Sequence, residues 1–244
     1  MDDLLGRPRE RDGLMRTDDL PYSDASMGRD GAQGDQAELQ KKQLKTGTTT
    51  VGLETADGVI LAADRRASLG GMVSSKNVVK IEEIHPTAAT TFAGGVSAAQ
   101  NLLKNVRAEV RLYETRRGKD MSMEALSTLV SNLLRSGAFF IAVPLLGGVD
   151  EEGPRLVSYD ALGGITEEPY SVTGSGSQFA LGVLEGAFEE GMSLEAGRDA
   201  AIDAVSAAVE RDTASGNGMA IAEITESGVE IEEFETMDDV PATE

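Results

Sequence analysis

Two pairs of apolar stripes at helical spacing, set among runs of β-prone residues, constrain this chain more than any other feature in it. In 96–117, Leu102, Leu103, Val106, Val110 and Tyr113 recur at helical intervals, and Leu126, Leu129, Val130, Leu133 and Leu134 do so in 122–135. Gly137 is a natural stop for the second stripe. A later pair covers 178–191 and 193–211, the last with Ala201, Ile202, Ala204, Val205 and Ala208 along one side. Strand signals surround these pairs. Segments 48–54 and 59–63 flank Ala56-Asp57-Gly58, whose Asp-Gly step favours a hairpin, and 77–84 and 88–93 follow. After the first helix pair come 139–147, 155–160 and 170–173, while 219–225 and 229–234 close as a hairpin around Glu226-Ser227-Gly228. The order of strands, two helices, strands, two helices and strands predicts an α+β fold with helices outside two stacked sheets. The βαβ alternation of a doubly wound nucleotide fold is missing, as are GxGxxG and GxxxxGK[ST].

Composition narrows the chemistry. Aromatic residues make up 4% and tryptophan is absent, so the core rests on Val, Ile, Leu and Ala with Met as filler. Without cysteine there is no disulfide framework, thiolate zinc site or cysteine nucleophile. Net charge is −20. Residues 1–47 hold ten acids against eight bases, leaving 32 against 14, or −18, for the rest. Such acidity excludes a nucleic-acid surface, which needs basic groups to displace phosphate counterions. It fits a solvated surface suited to high salt, where screening lowers self-repulsion, and hence a halophilic source. The longest apolar stretch, 137–148, is too short to span a bilayer and contains Pro144. The charged N-terminus has no apolar signal region. These features point to a soluble, cytoplasmic protein.

Candidate catalytic residues are few. The single histidine, His85, precedes Pro86 at an expected strand end and reads as a turn residue. Ser-His-Asp and Cys-His mechanisms and histidine-rich metal sites are therefore disfavoured. A hydroxyl nucleophile with an amine base remains. At Lys45-Thr46-Gly47-Thr48-Thr49-Thr50, a polar leader rich in Asp and Gly meets the first β-prone run. Cleavage between Gly47 and Thr48 would give Thr48 a free α-amine beside its own hydroxyl, so that one residue holds both nucleophile and base.

The segment from Gly47 to Gly52, followed by Gly58-Val59-Ile60-Leu61-Ala62-Ala63-Asp64-Arg65-Arg66, resembles the proteasome β subunits of the N-terminal nucleophile hydrolases, in their archaeal form. The resemblance continues in order through Lys80, Ala93-Gly94-Gly95, Thr173-Gly174-Ser175-Gly176-Ser177 and Arg211-Asp212-Thr213-Ala214-Ser215-Gly216. It implies a four-layer αββα sandwich over 48–234, a propeptide 1–47 removed by autocatalytic cleavage, and an acidic tail 235–244 expected to fray. It also implies Thr48 as nucleophile, Lys80 beside it on the strand 77–84, Asp64 paired with Lys80, and Gly94 as oxyanion donor. Ser175, Asp212 and Ser215 would organise contacts around the threonine amine. Ala67, Val78, Phe92 and Val96 would line the pocket for the side chain before the scissile bond. That wall is apolar and predicts cleavage after large hydrophobic residues; Phe92 filling the pocket would favour smaller ones, and Glu82 nearby would admit basic ones. Many members carry an acid where this chain has Ser97-Ala98-Ala99, at the start of the helix.

The implied protein is a threonine endopeptidase made as a zymogen and needing no metal or organic cofactor. Its implied partners are proteasome α subunits, other β subunits in two stacked heptameric rings, an ATP-dependent unfoldase acting through the α rings, and unfolded polypeptides. Neither nucleic acid nor membrane is among them. The alternatives are a non-catalytic structural ring subunit of the same particle and an amidohydrolase acting on a small amide.

Overall fold

The computed structural model describes residues 47–69, 71–139 and 142–243. The expected leader 1–47 lies outside these residues except for Gly47, as do positions 140 and 141 of the strand expected at 139–147.

β1 (Thr49–Glu54) and β2 (Gly58–Asp64) form the expected hairpin and pair in antiparallel register, with Gly52 opposite Leu61. With β10 (Tyr170–Gly174), β11 (Met219–Thr225) and β12 (Gly228–Phe234) they make one five-stranded sheet, ordered β10-β1-β2-β11-β12. The second sheet runs β5-β6-β7-β8-β9, from β5 (Ile81–His85), β6 (Ala88–Gly94), β7 (Ala142–Asp150), β8 (Gly153–Tyr159) and β9 (Ile165–Glu167).

Three apolar clusters define the layers. Val59, Leu61 and Ala63 of β2 meet Leu145 and Leu156 of the second sheet, which fixes the space between the sheets. The alternate residues Ile60 and Ala62 face the opposite way, against α3 (Ser177–Ala187) and α4 (Leu194–Arg211). The far face of the second sheet packs Leu146 and Val157 against α1 (Val96–Arg117) and α2 (Met123–Arg135). The result is the αββα sandwich. Because β2 is covered on both faces, its sequence is a continuous apolar run rather than an alternation. Ser122 and Ser193 accept hydrogen bonds from the first-turn amides of Ala125 and Ala196 and so start α2 and α4. α1 begins at Gly95 with no side-chain cap and no acid in its first turn.

Several expectations need correction. The strand expected at 77–84 begins only at Ile81, so Lys80 precedes β5. The Val78 amide donates to the Arg65 carbonyl instead, drawing this segment toward the end of β2. β3 (Ala67–Leu69) and β4 (Met72–Ser75) form a small hairpin that sequence patterning did not reveal, since Leu69, Met72 and Val73 are exposed. The expected frayed tail is instead placed against the body of the fold. Residues Met237–Asp239 form a 3-10 turn with reciprocal Thr236–Asp239 capping, Met237 and Val240 join the α3–α4 cluster, and the Thr243 hydroxyl donates to Asp203 at 3.1 Å. His85 ends β5 with its Nδ1 against Thr87, at the turn that was expected.

Leu126 is fully buried between α2 and the second sheet, whereas Leu162 is 79% exposed. Leu126→Ala should lower the unfolding free energy by about 2–5 kcal/mol, and Leu162→Ala by no more than about 0.5 kcal/mol. Denaturant titration in high-salt buffer measures both.

Candidate active site

The hairpin β1–β2 brings together the ends of two strands that lie far from any loop tip. Thr48 enters β1 and Asp64 closes β2. Asp64 has no solvent exposure and accepts four hydrogen bonds. Its Oδ1 takes Lys80 Nζ at 2.7 Å and the Thr49 amide at 2.8 Å. Its Oδ2 takes the amides of Arg66 at 3.0 Å and Gly216 at 2.9 Å. Both oxygens of this buried carboxylate are thus met by donors, one of which carries a positive charge that offsets the cost of burial. Lys80 is itself buried. Burial pulls its ammonium below the usual lysine range, and the Asp64 charge opposes that pull.

The other side of Thr48 is built by two loops. Asp212, which caps the end of α4, accepts from Ser175 Oγ at 2.5 Å, from Ser215 Oγ at 2.7 Å and from the Ala214 amide at 3.2 Å. Ser175 Oγ in turn lies 3.2 Å from the Thr48 nitrogen, which donates to it. Thr48 Oγ1 donates to the Gly47 carbonyl oxygen at 2.6 Å. Gly47 fits only without a side chain, since a Cβ there would lie 1.8 Å from the Ala214 Cβ. Gly174, at φ +101°, would carry a Cβ 1.9 Å from the Thr48 carbonyl oxygen. The backbone therefore closes on Thr48 from both sides.

A pocket of about 160 Å³ opens beside Thr48. The four apolar residues expected there, Ala67, Val78, Phe92 and Val96, all line it, and so do Lys80 and Gly94. Gly94 has φ +117°, a backbone conformation that favours glycine, at the point where β6 turns toward α1. Phe92 is also packed into the core under α1, so its ring forms a wall of the pocket. Glu82 is placed differently from the alternative that would admit basic residues: it pairs with Arg107 of α1 at 3.0 Å and is not among the lining residues.

All the expected site residues thus fall in one region, with one difference. Lys80 pairs with Asp64, as expected, and lines the pocket together with Thr48. Ser215 contacts the Thr49 hydroxyl at 2.7 Å rather than Thr48 itself. Sequence reasoning missed Ser68, Leu69 and Ser74 on the pocket wall, which come from the unforeseen β3–β4 hairpin. It also missed Arg66, whose Nε donates to Asn217 Oδ1 at 3.1 Å and whose Nη1 donates to the Thr213 carbonyl at 2.8 Å. Gly216 lies against this guanidinium, where a Cβ would meet it at 2.4 Å, and Asn217 takes φ +68°. The two adjacent arginines after Asp64 were a visible signal, but nothing in their spacing named the loop they reach.

Comparison with known proteins gives one consistent answer. The sequence profile of the family described as "Proteasome subunit" matches residues 44–224. A proteasome subunit beta of Halorubrum lacusprofundi is 62% identical over 198 residues, covering 81% of this chain and 82% of the relative. One from Haloferax volcanii is 62% identical over 201 residues, covering 82% and 83%. A third, from Haloquadratum walsbyi, is 54% identical over 239 residues, which is 98% of this chain and 97% of that protein. These relatives come from halophilic archaea, in keeping with the charge of −20.

The Asp64–Lys80 pair sets a stability test. Asp64→Asn leaves a buried ammonium without its counter-charge and should cost about 3–5 kcal/mol. Combining it with Lys80→Met removes the stranded charge and should restore most of that loss. Because burial lowers the folded pKa of Lys80, the unfolded chain binds the extra proton. The deficit of Asp64→Asn should therefore shrink as pH rises toward the ordinary lysine value. Thermal melts of the two variants across pH check both points.

Proposed function

The chain belongs to the proteasome subunit family, and from that premise we propose that it is a catalytic β subunit of a 20S core, a threonine endopeptidase with Thr48 as nucleophile. One observation carries the reading. The Thr48 hydroxyl lies against the carbonyl of the preceding peptide bond, while the nitrogen of that same bond rests on Ser175 and, through it, on Asp212. Breaking the bond would turn that nitrogen into an amine already surrounded by its partners.

Two reactions use the same groups. In the first, Thr48 Oγ adds to the Gly47 carbonyl carbon and the carbon–nitrogen bond to Thr48 breaks. The nitrogen gains the hydroxyl proton, and Gly47 is left as an ester on Thr48. Water then hydrolyses the ester, releasing the Gly47 carboxylate and restoring the hydroxyl. Residues 1–47 act in this scheme as a propeptide that keeps the nitrogen an amide, with no lone pair to serve as base. In the second, the freed amine, of reference pKa about 7.7–8.0, takes the Thr48 hydroxyl proton as Oγ adds to a substrate carbonyl. The Gly94 amide donates to the developing oxyanion, and the proton passes to the leaving nitrogen. Water ends the cycle by hydrolysing the ester. The Lys80 ammonium favours both the neutral amine and the ionised hydroxyl, and Asp64 fixes its position.

The apolar wall of Ala67, Val78, Phe92 and Val96 favours large hydrophobic side chains before the scissile bond. The relatives' printed name, proteasome subunit beta, supports assembly with α subunits; in our reading two stacked heptameric β rings lie between rings of α subunits, and an ATP-dependent unfoldase delivers unfolded polypeptides in the cytoplasm. No helix among the described residues is long and apolar enough to cross a membrane.

Intact mass and peptide assays on the assembled particle test the proposal. The mature chain should begin at Thr48, and Thr48→Ala should stay full length with peptide cleavage at background. A peptide with Phe or Leu before the scissile bond should be cut about tenfold faster or more than one with a charged residue there. Normal cleavage by Thr48→Ala would eliminate Thr48 as nucleophile, and an uncut, inactive wild-type chain in an intact particle would favour the structural-subunit alternative.

A further inference from the structure

Thr49, the residue after the proposed nucleophile, connects the two halves of the site through two different groups. Its amide donates to Asp64 Oδ1, the oxygen that also takes Lys80. Its hydroxyl lies 2.7 Å from Ser215 Oγ, and neither side chain has any solvent exposure. Proton counting fixes the direction of this second contact. Ser215 has one hydroxyl proton and gives it to the Asp212 carboxylate at 2.7 Å, so it can only accept from Thr49. Ser175 gives its proton to the same carboxylate oxygen at 2.5 Å and accepts from the Thr48 nitrogen. Two chains of donors therefore converge on Asp212 Oδ2. One starts at the Thr49 hydroxyl and passes through Ser215, and the other starts at the Thr48 nitrogen and passes through Ser175.

The fold makes room for this hydroxyl. A Cβ on Gly176 would lie 2.0 Å from Thr49 Oγ1 and 3.3 Å from Ser215 Oγ. A glycine at the turn into α3 is thus needed by the very contact that orients Ser215.

We propose that the Thr49 hydroxyl is a positioning group for proton transfer, which orders Ser215 on Asp212 and so sets the basicity of the Thr48 amine. The proposal rests on the reading of Thr48 as the nucleophile freed by cleavage. With Thr49 donating, Ser215 has no other direction for its proton and stabilises the Asp212 carboxylate. Without that donor the Ser215 hydroxyl is free to turn away, so Asp212 Oδ2 loses a hydrogen bond and shares less of its charge with Ser215. It then polarises Ser175 more strongly, which makes Ser175 Oγ a better acceptor for an ammonium at Thr48. The amine pKa rises, and less neutral base is present near pH 7. Lys80, which lines the same pocket as Thr48, itself faces the charges of Asp64 and Arg66 at the end of β2. Thr49 touches these only through its amide, which side-chain substitution retains.

The test compares Thr49→Val, which keeps shape but removes the hydroxyl, with Thr49→Ser, which keeps the hydroxyl, in the assembled particle beside wild type and Thr48→Ala. Intact mass first shows whether each chain begins at Thr48, and pH profiles of kcat and KM for one fluorogenic peptide follow. Thr49→Val should move the acid limb of kcat upward by about 0.5–1 pH unit, as expected for one lost hydrogen bond, with KM little changed. Thr49→Ser should retain the wild-type limb. If Thr49→Val does not assemble, Thr49→Ala makes the same comparison without placing a methyl group against Ser215. A hydroxyl-free variant that matures and shows the wild-type pH limb, even with a lower melting temperature, overturns the proposal. Wild type that is not cut before Thr48, or an active Thr48→Ala, overturns the reading beneath it instead.

Discussion

The Asp64 carboxylate is the interaction on which the rest of this structure depends. It draws donors from four chain segments: β1 through Thr49, the end of β2 through Arg66, the residue ahead of β5 through Lys80, and the loop after α4 through Gly216. These segments belong to both sheets and to the helix layer behind one of them. Placing one charge where water cannot reach it forces each segment to arrive with a donor in position, since an unmet lone pair there would cost several kcal/mol. The same constraint explains why Thr48 is so well placed. It is bonded directly to Thr49, whose amide position Asp64 sets.

The sandwich delivers that carboxylate by a simple route. β2 is buried on both faces, so its residues alternate between the inter-sheet space and the α3–α4 layer until the strand ends at Asp64. A polar residue at the end of such a strand has only neighbouring backbone and deliberately placed side chains to bond with. Lys80 supplies the charge, and two backbone amides and the Arg66 amide complete the set. Arg66 then grips Thr213 and Asn217, which carries the order imposed at Asp64 into the loop that holds Asp212 and Ser215. The site is thus rigid because its two halves share both a charge and a guanidinium clamp.

Much of this was legible in the chain, for reasons that differ from element to element. The long helices were plain because Leu102, Leu103, Val106 and Val110 repeat with one period against one sheet. β1 and β2 were plain because Asp57-Gly58 marks their turn. The β3–β4 hairpin was not, because Ser68 is its one buried residue and its apolar side chains Leu69, Met72 and Val73 face solvent, leaving no apolar stripe to read. Lys80 was expected within a strand because Val78, Val79 and Ile81 look alike by propensity, yet the Arg65 carbonyl captures the Val78 amide and delays the strand. Thr48 was singled out by the glycine before it, while Thr49 looked like an ordinary strand residue. Its hydroxyl partner Ser215 lies 166 positions away, and no local pattern encodes such a contact.

The glycines at 47, 174 and 176 complete the physical picture, because each marks a place where a side chain would collide with the region around Thr48 and Thr49. Their common effect is to bring backbone into close contact with Thr48 and Thr49 without adding any group that could compete for the nitrogen. In the uncut chain that nitrogen is an amide and can only donate, which matches an acceptor at Ser175. On the proposed reading, cutting the chain gives the nitrogen a lone pair and extra protons while its surroundings need not move. Electrostatic catalysis gains most when the dipoles are already fixed before charge develops. A site packed this tightly around a bond still to be broken therefore suits a residue that must first act on its own backbone and then on others.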